Sequence, residues 1–130
     1  MLDYIYGAQL IDFITCKGAL SEPLAKHVFR ITAQTLSFIH QSGLVHRDIK
    51  SDNIMITSKC VPCVLDFGFA VHKAGELDNG FFEINLGTPG YMAPEIHQRL
   101  PYNGEYADIF ALGVILFQMV MGRAPFEEAV

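Results

Sequence analysis

The chain has 130 residues, about the size of one domain, of which 51% are hydrophobic and 18% are charged. The apolar share lies at or above the ordinary range of about 45–50%, which excludes a disordered chain and suggests some apolar surface for contact with further protein. The net charge is −5 and the nine Lys and Arg residues are scattered singly, which argues against a nucleic acid or an anionic membrane as partner.

The N-terminal residues do not resemble a signal peptide. Asp3 comes early and the first lysine is Lys17, so a basic n-region is missing. The longest uninterrupted apolar run, residues 109–117, has nine residues, whereas a membrane span needs about 20. We therefore expect an intracellular, soluble protein without a membrane partner, in a compartment that the sequence does not define.

Residues 21–43 predict an amphipathic helix. Ser21 suits the N-cap, Pro23 lies in the first turn and Gly43 follows as a stop signal. Between them apolar side chains recur at helical spacing: Leu24, Val28, Ile31, Ala33, Leu36 and Ile39.

The next segment, HRDIKSDN at residues 46–53, gathers charged and amide side chains between apolar flanks. Asp48 is able to take a proton from a hydroxyl, and Lys50 is able to neutralise charge on a group in transfer. Asn53, with Asp66 further on, offers oxygen ligands of the kind that Mg²⁺ prefers. Phosphoryl transfer requires such a base, cation and metal ligands around one point, because positioning and electrostatics do most of its work.

Residues 53–57 and 63–67 predict two short strands joined by a turn. The sequence CVPC at residues 60–63 raises the alternative of a thiol redox protein. A reactive dithiol of that type opens a helix, whereas Cys60 and Cys63 lie in a β-rich run, so a structural role is favoured. No second Cys/His pair has zinc-ligand spacing, and the three cysteines in all do not suggest a disulfide scaffold.

Two features complete the pattern. Residues 66–90 contain five glycines and predict one long loop, of a kind that is usually functional or mobile. Residues 106–121 predict a second helix that is apolar nearly all the way round and is therefore expected to be buried at the centre.

Three motifs occur in an order that resembles a known family: HRDIKSDN at 46–53, DFG at 66–68 and GTPGYMAPE at 87–95. They are similar to the catalytic loop, the metal loop and the end of the activation segment of protein kinases. The resemblance implies an α+β fold, with a mostly helical C-terminal lobe and a short β-hairpin. It assigns residues 44–56 to the catalytic loop and 66–95 to the activation segment.

The resemblance implies a role for each matched residue. Asp48 resembles the catalytic base, Lys50 the lysine that steadies the transferred phosphate, and Thr88 the threonine that contacts both. Asn53 and Asp66 resemble the two Mg²⁺ ligands. Because Lys50 and Thr88 are typical of Ser/Thr kinases, the implied reaction moves the γ-phosphoryl group of ATP to a Ser or Thr hydroxyl of a protein substrate.

Residues 1–14 are similar to the hinge between the kinase lobes and the helix after it. Within this match, Asp3 and Ile5 would offer backbone groups to the adenine of ATP. Gln9 would lie near the ribose, and Met55 would pack under the adenine ring.

The resemblance also implies supporting roles. His46 and Phe67 resemble members of the hydrophobic stack of kinases, and Asp108 the helix aspartate that bonds the catalytic-loop backbone. Arg47 corresponds to an arginine that usually meets a phosphate, but residues 67–86 contain no Ser, Thr or Tyr. We therefore expect regulation without phosphorylation in that stretch, with Glu83 as the acidic partner of Arg47. The alternative is an Arg47 that faces solvent.

The match covers essentially the whole chain but only the middle of a kinase domain. No G-x-G-x-x-G sequence occurs, so we expect the N-terminal lobe to be absent and the chain by itself to have negligible kinase activity. The alternative function is that of a non-catalytic, truncated kinase acting as a binding module. In either case the missing lobe or a partner protein is expected as a further component.

Overall fold

The computed structural model describes residues 7–76 and 78–125. In chain order its elements are strand β1 (Gly7–Gln9), helices α1 (Leu10–Lys17) and α2 (Glu22–Gln41), strand β2 (Leu44–Val45), a 3₁₀ turn (Ser51–Asn53), strands β3 (Ile54–Thr57), β4 (Pro62–Val64) and β5 (Val71–His72), and helices α3 (Pro94–His97) and α4 (Gly104–Met121). Helices dominate, and the strands form two small antiparallel sheets. The predicted α+β class is confirmed.

The larger sheet has the strand order β1-β3-β4. Gln9 lies opposite Met55 across β1 and β3, and Ile54 lies opposite Val64 across β3 and β4. The predicted hairpin is therefore present, but its second strand ends at Val64 and not at residue 67. Asp66 has a φ of 56°, and this left-handed conformation does not continue an extended strand.

The smaller sheet pairs β2 with β5, placing Leu44 opposite His72. Residues 66–90 are thus not one uninterrupted loop, because β5 docks their first part onto the segment that precedes the catalytic motif. A strand of two residues has too short a pattern to be predicted from sequence.

Helix α2 forms where it was predicted and ends two residues before Gly43. The Ser21 side chain accepts a hydrogen bond from Leu24 N at 3.4 Å, and a proline lies in the first turn. Val28 and Leu36 lie on its buried face, which packs against α4.

Helix α4 begins at Gly104, two residues before the predicted start, because Asn103 Oδ1 accepts from Tyr106 N at 3.1 Å and caps it. Gly122 ends the helix in a left-handed conformation, and its N–H donates to Gln118 O at 2.8 Å. The expectation that α4 is buried all round is only half correct. The side that carries Ile109 is exposed.

Within the described residues, α4 is also the one helix whose length and composition would allow it to cross a membrane. Half of it is buried inside the protein. The buried half includes Asp108, which is 1% exposed, so α4 serves here as a core helix.

Two apolar clusters hold the catalytic motif between them. Ile49 and Ile54 belong to the cluster formed by α1, α2, β3 and α4. Val45 belongs to a second cluster around Phe82 and Tyr102. Because the apolar residues of this segment enter two separate clusters, its polar residues are held at the boundary between them.

Candidate active site

Asp108 fixes the backbone of the catalytic motif. Its Oδ2 accepts from His46 N and its Oδ1 from Arg47 N, both at 2.9 Å. Arg47 has a φ of 69°, which is uncommon for a residue other than glycine and needs support from surrounding contacts. The predicted role of Asp108 is confirmed by these two hydrogen bonds.

His40 is a site residue that sequence reasoning missed. Its Nε2 lies 2.9 Å from Asp108 Oδ2, and the pair is buried. One indication of its burial was present in the sequence: His40 follows Leu36 by four residues and therefore lies on the apolar face of α2. A histidine at such a position needs a partner, but the sequence did not indicate which residue supplies it.

His46 joins the motif to the end of β4. Its Nδ1 accepts from Asp48 N at 3.1 Å, and its Nε2 lies 2.9 Å from Leu65 O. Because Leu65 O can only accept, these contacts require the neutral tautomer with the proton on Nε2. The ring also meets Phe67 edge-on, with centroids 4.9 Å apart, so the predicted stacking pair is in contact.

The three predicted catalytic residues form one hydrogen-bonded group. Lys50 Nζ donates to Thr88 Oγ1 at 3.0 Å, and Thr88 Oγ1 donates to Asp48 Oδ1 at 2.9 Å. Lys50 Nζ also lies 3.8 Å from Asp48 Oδ2. The ammonium and the hydroxyl thus both lie beside the Asp48 carboxyl group and fix its orientation.

Asn53 is turned so that its amide nitrogen faces Asp48. Nδ2 donates to Asp48 O at 2.9 Å and to Asp48 Oδ2 at 3.3 Å. No contact to Asn53 Oδ1 is found within the described residues, which leaves this oxygen as the atom suited to a cation. Leu65 N donates to Asn53 O at 2.8 Å, so Asp66 follows directly at the same end of the hairpin.

Asn53 and Asp66 suit a magnesium ion that is also bound by phosphates and water, and not a metal ion whose ligands all come from the protein. Among residues 7–76 and 78–125 no group of three His, Cys, Asp or Glu side chains could hold a metal. Asn53 and Asp66 therefore offer two oxygen ligands, and Asp66 Oδ1 already accepts from Gly68 N at 3.1 Å. Mg²⁺ commonly takes one or two protein ligands and completes its shell with phosphates and water.

The predicted ATP-contacting residues are described only in part. Gln9 and Met55 lie directly opposite each other in the β1–β3 pair, so their side chains project from the same face of the sheet. Asp3 and Ile5 lie outside the described residues.

Arg47 is held by contacts with the activation segment. Its Nε donates to Phe69 O at 2.8 Å, and its guanidinium lies 5.2 Å from the centroid of the Phe82 ring. Phe82 is 2% exposed and its backbone exchanges hydrogen bonds with that of Tyr102. Burial raises the pKa of the Tyr102 hydroxyl, which stays protonated and donates to Ile84 O at 2.7 Å.

No ion pair joins Arg47 to Glu83 among the described residues, and Glu76 is the acidic side chain on which the charge of Arg47 acts. Glu76 Oε2 accepts from Glu83 N at 2.9 Å and Oε1 accepts from Ile84 N at 3.2 Å. Partial burial raises the pKa of Glu76, but these amides and the charge of Arg47 lower it more, so the net shift is downward. Glu83 contributes its backbone N–H to this arrangement.

The lowered pKa of Glu76 predicts a pH dependence of the activation segment. The hydrogen bonds from Glu83 N and Ile84 N to the Glu76 carboxylate should stabilise the activation segment fully above the ordinary carboxyl pKa of 4.5. This stabilisation should be lost as the pH falls through the lowered pKa of Glu76. We expect the NMR amide shifts of Glu83 and Ile84 to stay constant down to that range and then to change together. A Glu76→Gln variant should lose this transition; the same transition in the variant would contradict the assignment.

The two cysteines of the hairpin do not form a redox site of the expected type. Cys60 is exposed in the turn and Cys63 lies on β4, and both are free thiols. Neither begins a helix, so no helix dipole acts on them. This placement agrees with the structural role favoured by the sequence.

Comparison with known proteins identifies the family. The model of the protein kinase domain matches residues 1–130. The chain is 34% identical over 128 residues to CBL-interacting protein kinase 21 of Oryza sativa subsp. japonica, covering 98% of this chain and 24% of that protein. It is 34% identical over 130 residues to the SNF1-related protein kinase catalytic subunit alpha KIN12 of Arabidopsis thaliana, covering 98% of this chain and 25% of that protein.

The chain thus spans about a quarter of the length of these curated relatives. The family match runs over the whole chain and includes every residue of the hydrogen-bonded group around Asp48. The chain belongs to the protein kinase domain family.

Proposed function

We propose that this chain forms the acceptor-binding and metal-binding part of a Ser/Thr protein kinase. The observation that carries the proposal is the group of Asp48, Thr88 and Lys50, joined by hydrogen bonds of 2.9 and 3.0 Å. It lies beside Asn53, which places a cation ligand next to the proposed base. Members of this family use ATP and Mg²⁺, and the two oxygen ligands at the hairpin end fit that ion.

In the proposed reaction, Asp48 orients the acceptor hydroxyl and takes its proton. Thr88 donates to one carboxylate oxygen of Asp48, which leaves lone pairs on the carboxylate for the acceptor. Lys50 places a positive charge at the same point, where negative charge of a phosphoryl group would otherwise be repelled by Asp48. Mg²⁺·ATP, when bound, supplies the transferable group, with Asn53 and Asp66 as the cation ligands of this chain.

The nucleotide would lie against the face of the sheet that carries Gln9 and Met55, with Asp3 and Ile5 as the proposed adenine contacts. A glycine-rich loop is not among the 130 residues. In the proposed enzyme this loop and the ATP-binding lysine come from further polypeptide, and the partners are this polypeptide and a protein substrate with a Ser or Thr acceptor.

A graft tests the proposal. In the kinase domain of CBL-interacting protein kinase 21, the matched 128 residues are replaced by those of this chain, and the product is called the grafted kinase. We expect it to move phosphate from γ-labelled ATP to Ser and Thr peptides and not to Tyr peptides. The 130-residue chain, assayed beside it, should show negligible transfer.

The controls separate the catalytic proposal from the non-catalytic alternative. The unmodified host kinase shows that the assay works, and thermal unfolding shows that the grafted kinase is folded. A folded grafted kinase without transfer, or one that prefers Tyr, would contradict the proposal. The first of these results would favour the non-catalytic binding module.

The metal ligands give a separate prediction. Asp66→Asn in the grafted kinase should raise the Mg²⁺ concentration needed for half-maximal rate by roughly tenfold, because one of two protein ligands loses its charge. Asp78→Asn is the matched control, since Asp78 is an exposed aspartate that also has a positive φ. An unchanged Mg²⁺ requirement in the Asp66 variant would argue against Asp66 as a ligand.

A further inference from the structure

A second set of hydrogen bonds joins the catalytic loop to the activation segment and to α4. The Tyr91 hydroxyl lies 2.7 Å from Ser51 Oγ, and Gln118 Nε2 donates to the same hydroxyl at 2.9 Å. Ser51 is fully buried and Gln118 is 4% exposed. Three polar side chains from three distant parts of the sequence thus meet in the protein interior.

The hydrogen-bonding capacity of the three groups matches. Gln118 Nε2–H donates to Tyr91 Oη at 2.9 Å. The single Tyr91 proton goes either to Ser51 Oγ or to Gln118 Oε1, and in the second case the Ser51 hydroxyl donates to Tyr91 Oη, so that every group keeps a partner. If Tyr91 lost its hydroxyl, Ser51 and Gln118 would each lose a partner at a buried position where water does not easily replace it. The three residues therefore behave as one unit.

This unit holds the same turn that presents Thr88 to the catalytic group. Tyr91 N donates to Thr88 O at 3.1 Å, so Thr88 and Tyr91 are the two ends of one tight turn. Thr88 contacts Asp48 and Lys50 through its hydroxyl, and Tyr91 contacts Ser51, the residue next to Lys50. Two attachment points prevent the turn from rotating about either hydrogen bond alone.

We propose that Ser51, Tyr91 and Gln118 are positioning residues for phosphoryl transfer. They set the orientation of the turn at residues 88–91 and, through Thr88, the geometry of Asp48 and Lys50. This inference rests on the proposed kinase function. The Gln118 amide lies within hydrogen-bond distance of the Tyr91 hydroxyl through both Nε2, at 2.9 Å, and Oε1, at 3.3 Å, and so acts within this unit and not on a substrate.

Tyr91→Phe in the grafted kinase tests the inference. A small displacement of catalytic groups can cost up to about 10²-fold in rate, and we expect kcat to fall by roughly tenfold or more. The KM for ATP should stay within about twofold, because the unit does not touch the nucleotide face of the sheet. Ser51→Ala should give a smaller loss, and the double variant should be no slower than Tyr91→Phe.

Tyr106→Phe is the matched control. Tyr106 is 68% exposed, so the same hydroxyl is removed without disturbing a buried contact, and kcat should not change. Equal kcat values for the Tyr91→Phe variant and the wild type would overturn the inference. So would additive losses in the double variant, because independent groups do not form one unit.

Hydrogen exchange keeps the test independent of activity. In the Tyr91→Phe grafted kinase, the amide of residue 91 should exchange faster, while amides in the middle of α2 keep their protection. If the grafted kinase without this substitution proved inactive but the Tyr91→Phe variant still showed the faster exchange at residue 91, the result would contradict the proposed function and support the positioning unit. Unchanged exchange at residue 91 would overturn the positioning unit, even in an active enzyme.

Discussion

Asp48→Asn is expected to lower the kcat of the grafted kinase by about 10³-fold and to leave its KM for ATP within about threefold. Positioned general bases contribute roughly 10²–10⁴-fold to enzymatic rates. The asparagine can still accept from Thr88, whose Oγ1 donates to Asp48 Oδ1 at 2.9 Å, so the loop should keep its shape. Steady-state kinetics with a Ser peptide give both constants.

Asp52→Asn is the matched control for this variant. Asp52 lies four residues further along the same loop and is exposed. Its replacement removes the same charge but leaves the hydrogen bonds of Asp48 to Thr88 and Asn53 in place, so kcat should stay within about twofold. If Asp48→Asn lost less than about tenfold, or if Asp52→Asn lost as much as Asp48→Asn, Asp48 would not be the base.

Asp108→Ala is expected to destabilise the fold by about 3–5 kcal/mol, because removal of one partner from a buried charged network leaves the others uncompensated. Three donors lose their acceptor: His46 N, Arg47 N and His40 Nε2, each now at 2.9 Å. A loss of this size is a large part of the roughly 5–15 kcal/mol that stabilises a domain. Urea unfolding of the grafted kinase measures it as a shift of the midpoint.

Asp12→Ala controls for the loss of a carboxylate as such. Asp12 is exposed in the first turn of α1, where its interaction with the helix dipole is worth roughly 0.3–1 kcal/mol. A destabilisation by Asp108→Ala of no more than this amount would show that the Asp108 contacts do not hold the loop. A variant too unstable to purify would agree with the prediction, provided that Asp108→Asn, which keeps one acceptor oxygen, gives folded protein of intermediate stability.

The sequence predicted best the residues that stand close together in it. Asp48, Lys50 and Asn53 lie within six residues, and their chemistry could be read before any fold was known. Thr88 could be placed beside them only through the family resemblance, because forty residues separate it from Asp48. The structure brings these four residues into contact.

Contacts that depend on the course of a loop could not be predicted. Glu76 accepts hydrogen bonds from the backbone amides of Glu83 and Ile84. Because every residue other than proline has such an amide, the sequence does not show which residues will bind the carboxylate. His40 reaches Asp108 across 68 positions of sequence. Such pairings follow from the packing of α2 against α4, which local periodicity does not specify.

We propose that Asp48, Asn53 and Asp66 form one metal-and-acceptor site and not merely a group of charges that supports the fold. Mn²⁺ titration of the chain labelled with ¹⁵N-asparagine tests this most directly, since Mn²⁺ replaces Mg²⁺ and broadens nearby NMR signals. The chain has four asparagines, Asn53, Asn79, Asn85 and Asn103, and three of them act as internal controls. We predict that the side-chain signal of Asn53 broadens at the lowest Mn²⁺ concentration and that Asp66→Asn removes this preference. Equal broadening of all four signals, or a preference for another asparagine, would contradict a metal site at Asn53 and Asp66.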